Sequence, residues 1–566
     1  MELIIFCVVI IAIFLYVMIR GAWDEKQQKM RYRNYLRESY GKFSETTYTS
    51  EELDRIARFY QHKYTENVVD DITWNDLNMD DIFAMMNYAQ SSAGEEYLYA
   101  MLRQPRLSDE DGSLSRMETH INYMMSHEDD RLDTMMLLNE LGKTGKYSIF
   151  DYMDYLENLG KKSNVKHYIA NLLLLACVGI IYVEASVGVM LLIAVACINI
   201  VMYMKEKNTV APYVTTFAYV MRMLGCADQI IHKSYGSEMD DYLRSLQEKR
   251  GKFKAFVKDS DMVLKIGNAG GSIGDIILDY IKMVAHIDLI KFNRMLRILQ
   301  DNKQESMDIV EAIGYLDAVI SIGYFRAALP HYCVPELVEG FDEPLTISEG
   351  FHPTIAHPVS NSFSQKKGML VTGSNASGKS TFLKMTAINA VLTQTIHTCA
   401  AKSYHGNYYR IYSSMALRDN LASGESYYIV EIKALKRIVD AAAESSQSPL
   451  LCFVDEVLRG TNTVERIAAS VQILRKLSEH GIYCFAATHD IELTHLLEDV
   501  YDNCHFEEEV RDGDVLFSYR LLDGRAHTRN AIRLLEIIGF SDEIIKKADN
   551  MAKNFLETGE WNGGFK

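Results

Sequence analysis

The chain has 566 residues, 48% of them hydrophobic and 24% charged, which is ordinary for a folded protein and enough for several domains with a large core. Its net charge of −17 excludes a global basic field that recruits nucleic acid, so any such contact must come from a local patch. The nine cysteines include no C-x-x-C pair and no metal-ligand spacing, a pattern that fits reduced thiols in a cytosolic environment.

Residues 3–19 carry no charge and come near the lower limit for a bilayer span. Glu2 stands where a signal peptide carries positive charge, and no A-x-A-like site follows. Arg20, Lys26, Lys29, Arg31, Arg33 and Arg37 follow instead, so 1–20 reads as an uncleaved transmembrane anchor with the basic side cytoplasmic. A cleaved signal peptide is the rival. Residues 21–160 form a helical region, periodic from residue 51 onward, with stretches such as 80–102 and 114–125.

A second apolar region, 168–204, is too long for one span and breaks at Glu184-Ala185-Ser186. It reads as a transmembrane hairpin, 168–183 and 187–204, with Glu184 at the outer turn. Lys161, Lys162 and Lys166 precede it, and Lys205 and Lys207 follow it, so both ends face the cytoplasm. A buried hairpin in a soluble core is the alternative. Residues 205–332 are again helical. Within them, 242–258 holds Arg244, Lys249, Arg250, Lys252, Lys254 and Lys258 interleaved with Phe253 and Phe256. Such a helix can touch phosphates, and its plainer reading is an amphipathic helix with a solvated basic face. Residues 267–272 (GNAGGS) read as a flexible break. From Cys333 the composition shifts to Pro, Gly and short extended pieces, which marks the boundary of a nucleotide-binding domain.

Inside that domain, an apolar strand at 369–372 runs into Gly373, Ser374, Asn375, Ala376, Ser377, Gly378, Lys379, Ser380 and Thr381. This is the full G-x-x-x-x-G-K-[ST] phosphate loop. The glycines let backbone N–H groups curl around phosphate oxygens, Lys379 reaches the β/γ-phosphates, and Ser380 offers a hydroxyl to Mg²⁺. The strand before it and the helical pattern after it argue against a chance glycine-rich turn. Further on, 449–454 (PLLCFV) is a continuous apolar run ending in Asp455-Glu456, the layout of a buried parallel strand that delivers two acids at its carboxyl edge. There Asp455 can hold the Mg²⁺ shell and Glu456 can polarise the attacking water. A second strand, 482–487, ends at Thr488-His489, where a histidine can meet the γ-phosphate; an ordinary polar strand terminus is the alternative. Residues 419–426 (DNLASGES) sit at the start of a helix over 427–444, so Ser423, Gly424 and Ser426 can grip a phosphate or simply cap the helix. Residues 459–463 (RGTNT) suit a polar loop at a subunit junction.

The phosphate loop, DNLASGES, VDEVLRGTNT and ATHD, in this order and at these distances, resemble the ATPase domain of the MutS mismatch-repair family, within the wider ABC-type ATPases. ISEGFHP, GSNASGKSTFLKM and DEVLRGTNT are most similar to its bacterial membrane-associated, MutS-related branch. The match covers about 333–553, and more weakly 80–105 with Arg116, which look like a helical core and lever. The resemblance implies an α/β ABC-type P-loop ATPase domain preceded by an all-α core and lever region with three transmembrane helices. The expected boundaries are 1–20 (anchor), 21–160 (helical core), 168–204 (hairpin), 205–332 (core and lever), 333–529 (ATPase) and 530–566 (helix–turn–helix dimerisation segment).

It further implies a homodimer that hydrolyses ATP with Mg²⁺ at its interface. Lys379, Glu456 and His489 would be catalytic, Ser380 and Asp455 would hold the metal, and Ser423, Gly424 and Ser426 would act in trans on the other copy's nucleotide. Gln394 would be a metal-loop residue and Phe363 would stack on adenine. DNA is the implied ligand, yet no recognition domain precedes the helical core, so mismatch reading has no visible carrier. The alternative is an ATP-driven, membrane-attached switch acting on a membrane-protein partner. The expected location is the cell membrane, multi-pass, with the ATPase domain in the cytoplasm.

Overall fold

The helix Lys303–Ala328 is buried along most of its length, and Ile309, Ile313, Leu316, Val319, Ile320 and Tyr324 are fully enclosed. A helix apolar on nearly every side lies in a core rather than on a surface. It belongs to the first of two units in the computed structural model, made of 1–63, 86–100 and 116–328. The structure describes residues 2–558 except 65, 146, 150, 152–159, 211–212, 258–279, 375–376, 416–426, 459–461, 512–513, 527–531, 533–534 and 536–537. The predicted break at 267–272 lies outside these.

Asp317, midway along the helix Lys303–Ala328, is fully buried and accepts from the N–H groups of Gln90 and Ser91 and from the Ser91 hydroxyl. It thereby satisfies the open N-terminus of the helix Ser92–Arg103. The N-terminal stretch is one 37-residue helix, Glu2–Glu38. Its second half is tied to the helix Glu128–Leu141 by Lys29–Glu140, Arg33–Asp133 and Arg37–Glu128.

The apolar hairpin forms as two helices, Val165–Val183 and Ala185–Val210. Leu172, Leu175, Val178, Val183, Met190, Ile193 and Val201 stay exposed. Its feet are polar: Asn171 donates to the Ala285 carbonyl (2.9 Å), Asn199 to the Val284 carbonyl (3.0 Å), and Tyr203 to Asp288 (2.6 Å). Where three spans were expected, these two helices are long and apolar enough to cross a membrane among the described residues. The basic segment is also not the free cationic face the sequence suggested. On the helix Asp240–Gly251 and just after it, Lys249 pairs with Asp308, Arg250 with Asp228, and Lys252 with Glu305.

The second unit comprises 64–85, 101–115 and 329–566. One sheet has the order β1-β5-β2-β3, from β1 (Glu336–Val338), β2 (Leu345–Gly350), β3 (Asn361–Gln365) and β5 (Ser403–Asn407). The other has the order β12-β9-β4-β8-β7-β6, from β4 (Gly368–Thr372), β6 (Arg410–Ser414), β7 (Leu450–Asp455), β8 (Ile482–Ala487), β9 (Tyr501–His505) and β12 (Leu522–Asp523). Within it β4, β6, β7, β8 and β9 are parallel, with β12 an antiparallel edge. A hairpin, β10 (Glu508–Arg511) and β11 (Asp514–Phe517), stands apart.

The strands β4, β7 and β8 are buried at every position, as helix cover on both faces of a parallel sheet requires. Leu450, Cys452 and Val454 pack under Leu435 and Ile438 of the helix Tyr427–Ala443 and Leu474 of the helix Thr463–Lys476. Phe453 stacks on Phe485 on the opposite face.

The unit boundary falls near residue 329, but two pieces from far upstream are built into it. Thr73 accepts from the Ser413 N–H (3.0 Å), and Asp76 accepts from the Ser413 hydroxyl (2.7 Å) and the Met415 N–H (2.9 Å). Arg103 lies over the Trp74 ring at 4.1 Å and binds Asp71.

Candidate nucleotide-binding and active site

The phosphate loop leaves the carboxyl end of β4 and enters the helix Lys379–Ile396. Gly373 (φ 146°) and Gly378 (φ 110°) take left-handed backbone that side chains rarely adopt, and this conformation lets the loop curl. Lys379 folds back to donate to the carbonyls of Gly373 and Ser374, both at 2.9 Å. Ser377 and Lys379 are buried, whereas Ser380 and Thr381 face a cavity of about 490 Å³, a volume within the range of small-ligand sites. Asn375 and Ala376 lie outside the described residues.

Two strands parallel to β4 deliver the remaining groups to the same edge. Asp455 ends β7, and its Oδ2 accepts from the Ser380 hydroxyl (2.5 Å). Glu456 and Leu458 follow with φ of 56° and 58°. Left-handed backbone at two non-glycine residues stores strain that the neighbours must enforce. Part of that enforcement is the Glu456 N–H, which donates to the Ala487 carbonyl at 2.9 Å. β8 ends one residue before Thr488-His489, and His489 Nε2 stands 2.9 Å from Glu456 Oε1 and 3.2 Å from Lys379 Nζ. Asp490 is held by a two-pronged pair with Arg466, which fixes the turn that carries His489. Lys379, Ser380, Asp455, Glu456 and His489 therefore converge, as expected from sequence.

The donor set suits a hard divalent cation. Asp455 Oδ1 is buried with no hydrogen-bond partner while its sister oxygen and the Ser380 hydroxyl touch, so one carboxylate oxygen is open to a ligand. Among the described residues no group of three or more His, Cys, Asp or Glu could hold a metal by itself, so any ion here needs ligands from elsewhere. Ser380 and Asp455 would hold such an ion, which would supply positive charge beside the phosphate loop.

The far wall of the cavity comes from residues the sequence reading passed over. His352, Ile355, His357, Pro358, Val359 and Asn361 line one side, and Phe506 and Tyr519 the other. Burial and then the Lys384 charge pull His352 down to about 4, so it stays neutral at pH 7. The Tyr519 ring lies against Gly378, where a β-carbon would stand 3.2 Å from it. Asn361 pins that stretch by donating to the Tyr519 carbonyl (3.1 Å) and accepting from the Leu521 N–H (2.8 Å). The only sequence signal for this wall was the Pro- and His-rich run after Gly350, and nothing marked Tyr519.

Two expected site residues are not brought to the cluster. Gln394 lies roughly 22 Å down the helix from Lys379 and is fully buried. Its amide donates to the carbonyls of Arg106 and Tyr409 and accepts from the Tyr409 N–H, and it does not line the cavity. Phe363 does not line the cavity, because its ring is packed between Phe382 (5.4 Å) and Phe485 (5.7 Å). The trans residues Ser423, Gly424 and Ser426, and 459–461 of the RGTNT loop, lie outside the described residues. From 530–566, the described helix Asp542–Thr558 is amphipathic, with Ile544 and Met551 exposed.

Comparison with known proteins follows this geometry. The family profile for MutS domain V matches residues 369–556. The DNA mismatch repair protein MutS of Methanosarcina acetivorans is 28% identical over 290 residues, covering 48% of this chain and 31% of its own length. That of Thermotoga maritima is 28% identical over 283 residues, with 48% and 35% covered. That of Thermus thermophilus is 32% identical over 217 residues, with 37% and 26% covered. The chain thus spans about a third of the length of these curated relatives. Over residues 369–556 the chain thus matches MutS domain V, and over about half of its length or less it is similar to these MutS proteins.

Proposed function

We propose that this chain is a membrane-anchored ATP hydrolase of the MutS type that works as a pair of copies and acts on DNA. The observation that carries the hydrolase reading is the convergence of Lys379, Ser380, Asp455, Glu456 and His489 beside a nucleotide-sized cavity. In this reading Lys379 exchanges the Gly373 and Ser374 carbonyls for phosphate oxygens. Ser380 and Asp455 would hold Mg²⁺, which when bound supplies charge neutralisation at the β- and γ-phosphates. Glu456 orients the water that attacks the γ-phosphorus as the bond to the ADP oxygen breaks, and it takes up the water's proton. His489 holds the Glu456 carboxylate and meets the γ-phosphate. Ser423, Gly424 and Ser426 of a second copy close the site, and the apolar face of the helix Asp542–Thr558 gives the pair a contact surface.

Hairpin length and charge support membrane attachment. From Lys166 to Glu184 the helical rise is about 27 Å, and from Glu184 to Lys205 about 31 Å. These bracket a hydrocarbon core of roughly 30 Å, with lysines at both feet. The amide nitrogens of Asn171 and Asn199 are already bonded to protein carbonyls at that depth.

DNA as ligand rests on the relatives, which are named as DNA mismatch repair proteins. The second reading, a switch on a protein partner, is favoured by the internal ion pairs of Lys249, Arg250 and Lys252. The test is ATP turnover by the full chain in detergent, with filter retention of duplex, branched and mismatched DNA. Absence of turnover sinks the hydrolase reading. Turnover without salt-sensitive DNA retention transfers support to the protein-partner reading.

A further inference from the structure

We infer that Glu508 is a built-in anion on the phosphate loop, which competes with the triphosphate and sets nucleotide affinity; this rests on the ATPase reading above. Beyond β9 the chain keeps running beside the loop, with the Phe506 N–H donating to the Thr372 carbonyl at 3.0 Å. The Phe506 carbonyl lies so near Gly373 that a β-carbon there would meet it at 2.8 Å. Two residues on, Glu508 is 8% exposed, and its carboxylate accepts from the Ser374 hydroxyl. Among the described residues no lysine or arginine pairs with it.

A buried carboxylate without a cation is costly unless its surroundings favour negative charge. Here the surroundings are the phosphate loop, which runs into the N-terminus of the helix Lys379–Ile396 and carries the Lys379 ammonium on its Gly373 and Ser374 carbonyls. Glu508 draws on the field that the triphosphate needs, and two anions in one site disfavour each other. The consequence is weaker nucleotide binding and faster release of ADP. Glu508 opens β10 directly opposite Phe517, the last residue of β11, and two residues further on Tyr519 covers Gly378. One hairpin therefore touches the loop at two points, and an incoming nucleotide must contend with both.

The experiment is equilibrium titration of the full chain with a fluorescent ATP or ADP analogue, at several salt concentrations. E508Q keeps an acceptor for Ser374 and removes the charge. It is expected to bind about three- to tenfold tighter, the scale of one like charge several ångströms away in a partly solvated site, and to show a shallower salt dependence. E508A is expected to move the same way, and E508D to stay within about twofold of the wild type. Damage to packing loosens binding, so tightening separates a charge effect from a structural one. Equal or weaker affinity in both E508Q and E508A, with a wild type that binds nucleotide, overturns the proposal. A wild type that binds no nucleotide, like the K379A control, overturns the ATPase reading instead.

Discussion

Truncating Asp76 to alanine tests whether residues 64–85 are an integral part of the nucleotide-binding unit. The carboxylate is 2% exposed and accepts from the Ser413 hydroxyl at 2.7 Å and the Met415 N–H at 2.9 Å. Both donors lie at the end of β6, from which the chain leads to the DNLASGES segment. A hydrogen bond to a charged acceptor contributes about 1.5–3 kcal/mol, and a buried donor left without one costs about 1–3 kcal/mol. The alanine variant loses two such bonds but no longer buries a carboxylate, which leaves a net loss of about 3 kcal/mol. At roughly 2–4 °C per kcal/mol for a domain of this size class, the unit should melt about 6–12 °C lower. Differential scanning calorimetry of the full chain with and without ATP reads this, because the transition that ATP raises belongs to the nucleotide-binding unit. Asp76→Asn keeps one acceptor oxygen and should fall between the two. A shift under about 1 °C in the ATP-sensitive transition refutes the assignment.

Lys379→Ala should abolish nucleotide binding, and a titration in which it binds within tenfold of the wild type removes Lys379 from the phosphate site. Glu456→Gln should retain binding but lower kcat by about 10²- to 10⁴-fold and accumulate an ATP-bound dimer, seen by analytical ultracentrifugation; unchanged turnover sinks the role given to Glu456. Burial raises Glu96 to about 8 and Asp317 to about 6, in both cases against the hydrogen bonds they accept. A raised carboxyl stabilises the fold below its unfolded value, near 4, and that contribution disappears as pH rises through the folded value. Between about pH 6.5 and pH 8 the helical unit should therefore lose stability, with Glu96→Gln flattening that loss; a melting temperature that climbs over that window contradicts the sign.

The sheet strands and the catalytic edge were legible because each signal is local. VTGSNASGKS is a strand, a curl and a helix start within a few residues, and its glycines occupy the two left-handed positions. The apolar runs of β7 and β8 are short and continuous, and both end in polar residues, as buried parallel strands must when their carboxyl edge carries chemistry. The hairpin was also local: two apolar runs separated by Glu184 could only be two helices. The basic stretch 242–258 misled for the complementary reason. Its charges were visible, but the acids that neutralise them, Asp228, Glu305 and Asp308, lie on other helices.

What stayed hidden depends on contacts between residues far apart in the chain. Thr73 and Asp76 look like ordinary positions in a short helix, and their partner Ser413 stands 340 and 337 residues downstream. Nothing in the local pattern distinguishes a helix that caps its own unit from one inserted into another. Gln394 fails as a metal-loop residue on the same grounds. A glutamine side chain has two N–H donors and two acceptor lone pairs, and only the fold reveals that Arg106 and Tyr409 take both donors and one lone pair. Phe363 offers a ring that stacks equally well on adenine or on phenylalanine, and the sheet places Phe485 and Phe382 around it first. Residue type limits what a side chain can do, and competition from distant neighbours decides which of those options is left. Lys379, His489 and Glu456 are instead brought side by side by the fold, with the Gly373 and Ser374 carbonyls also on Lys379.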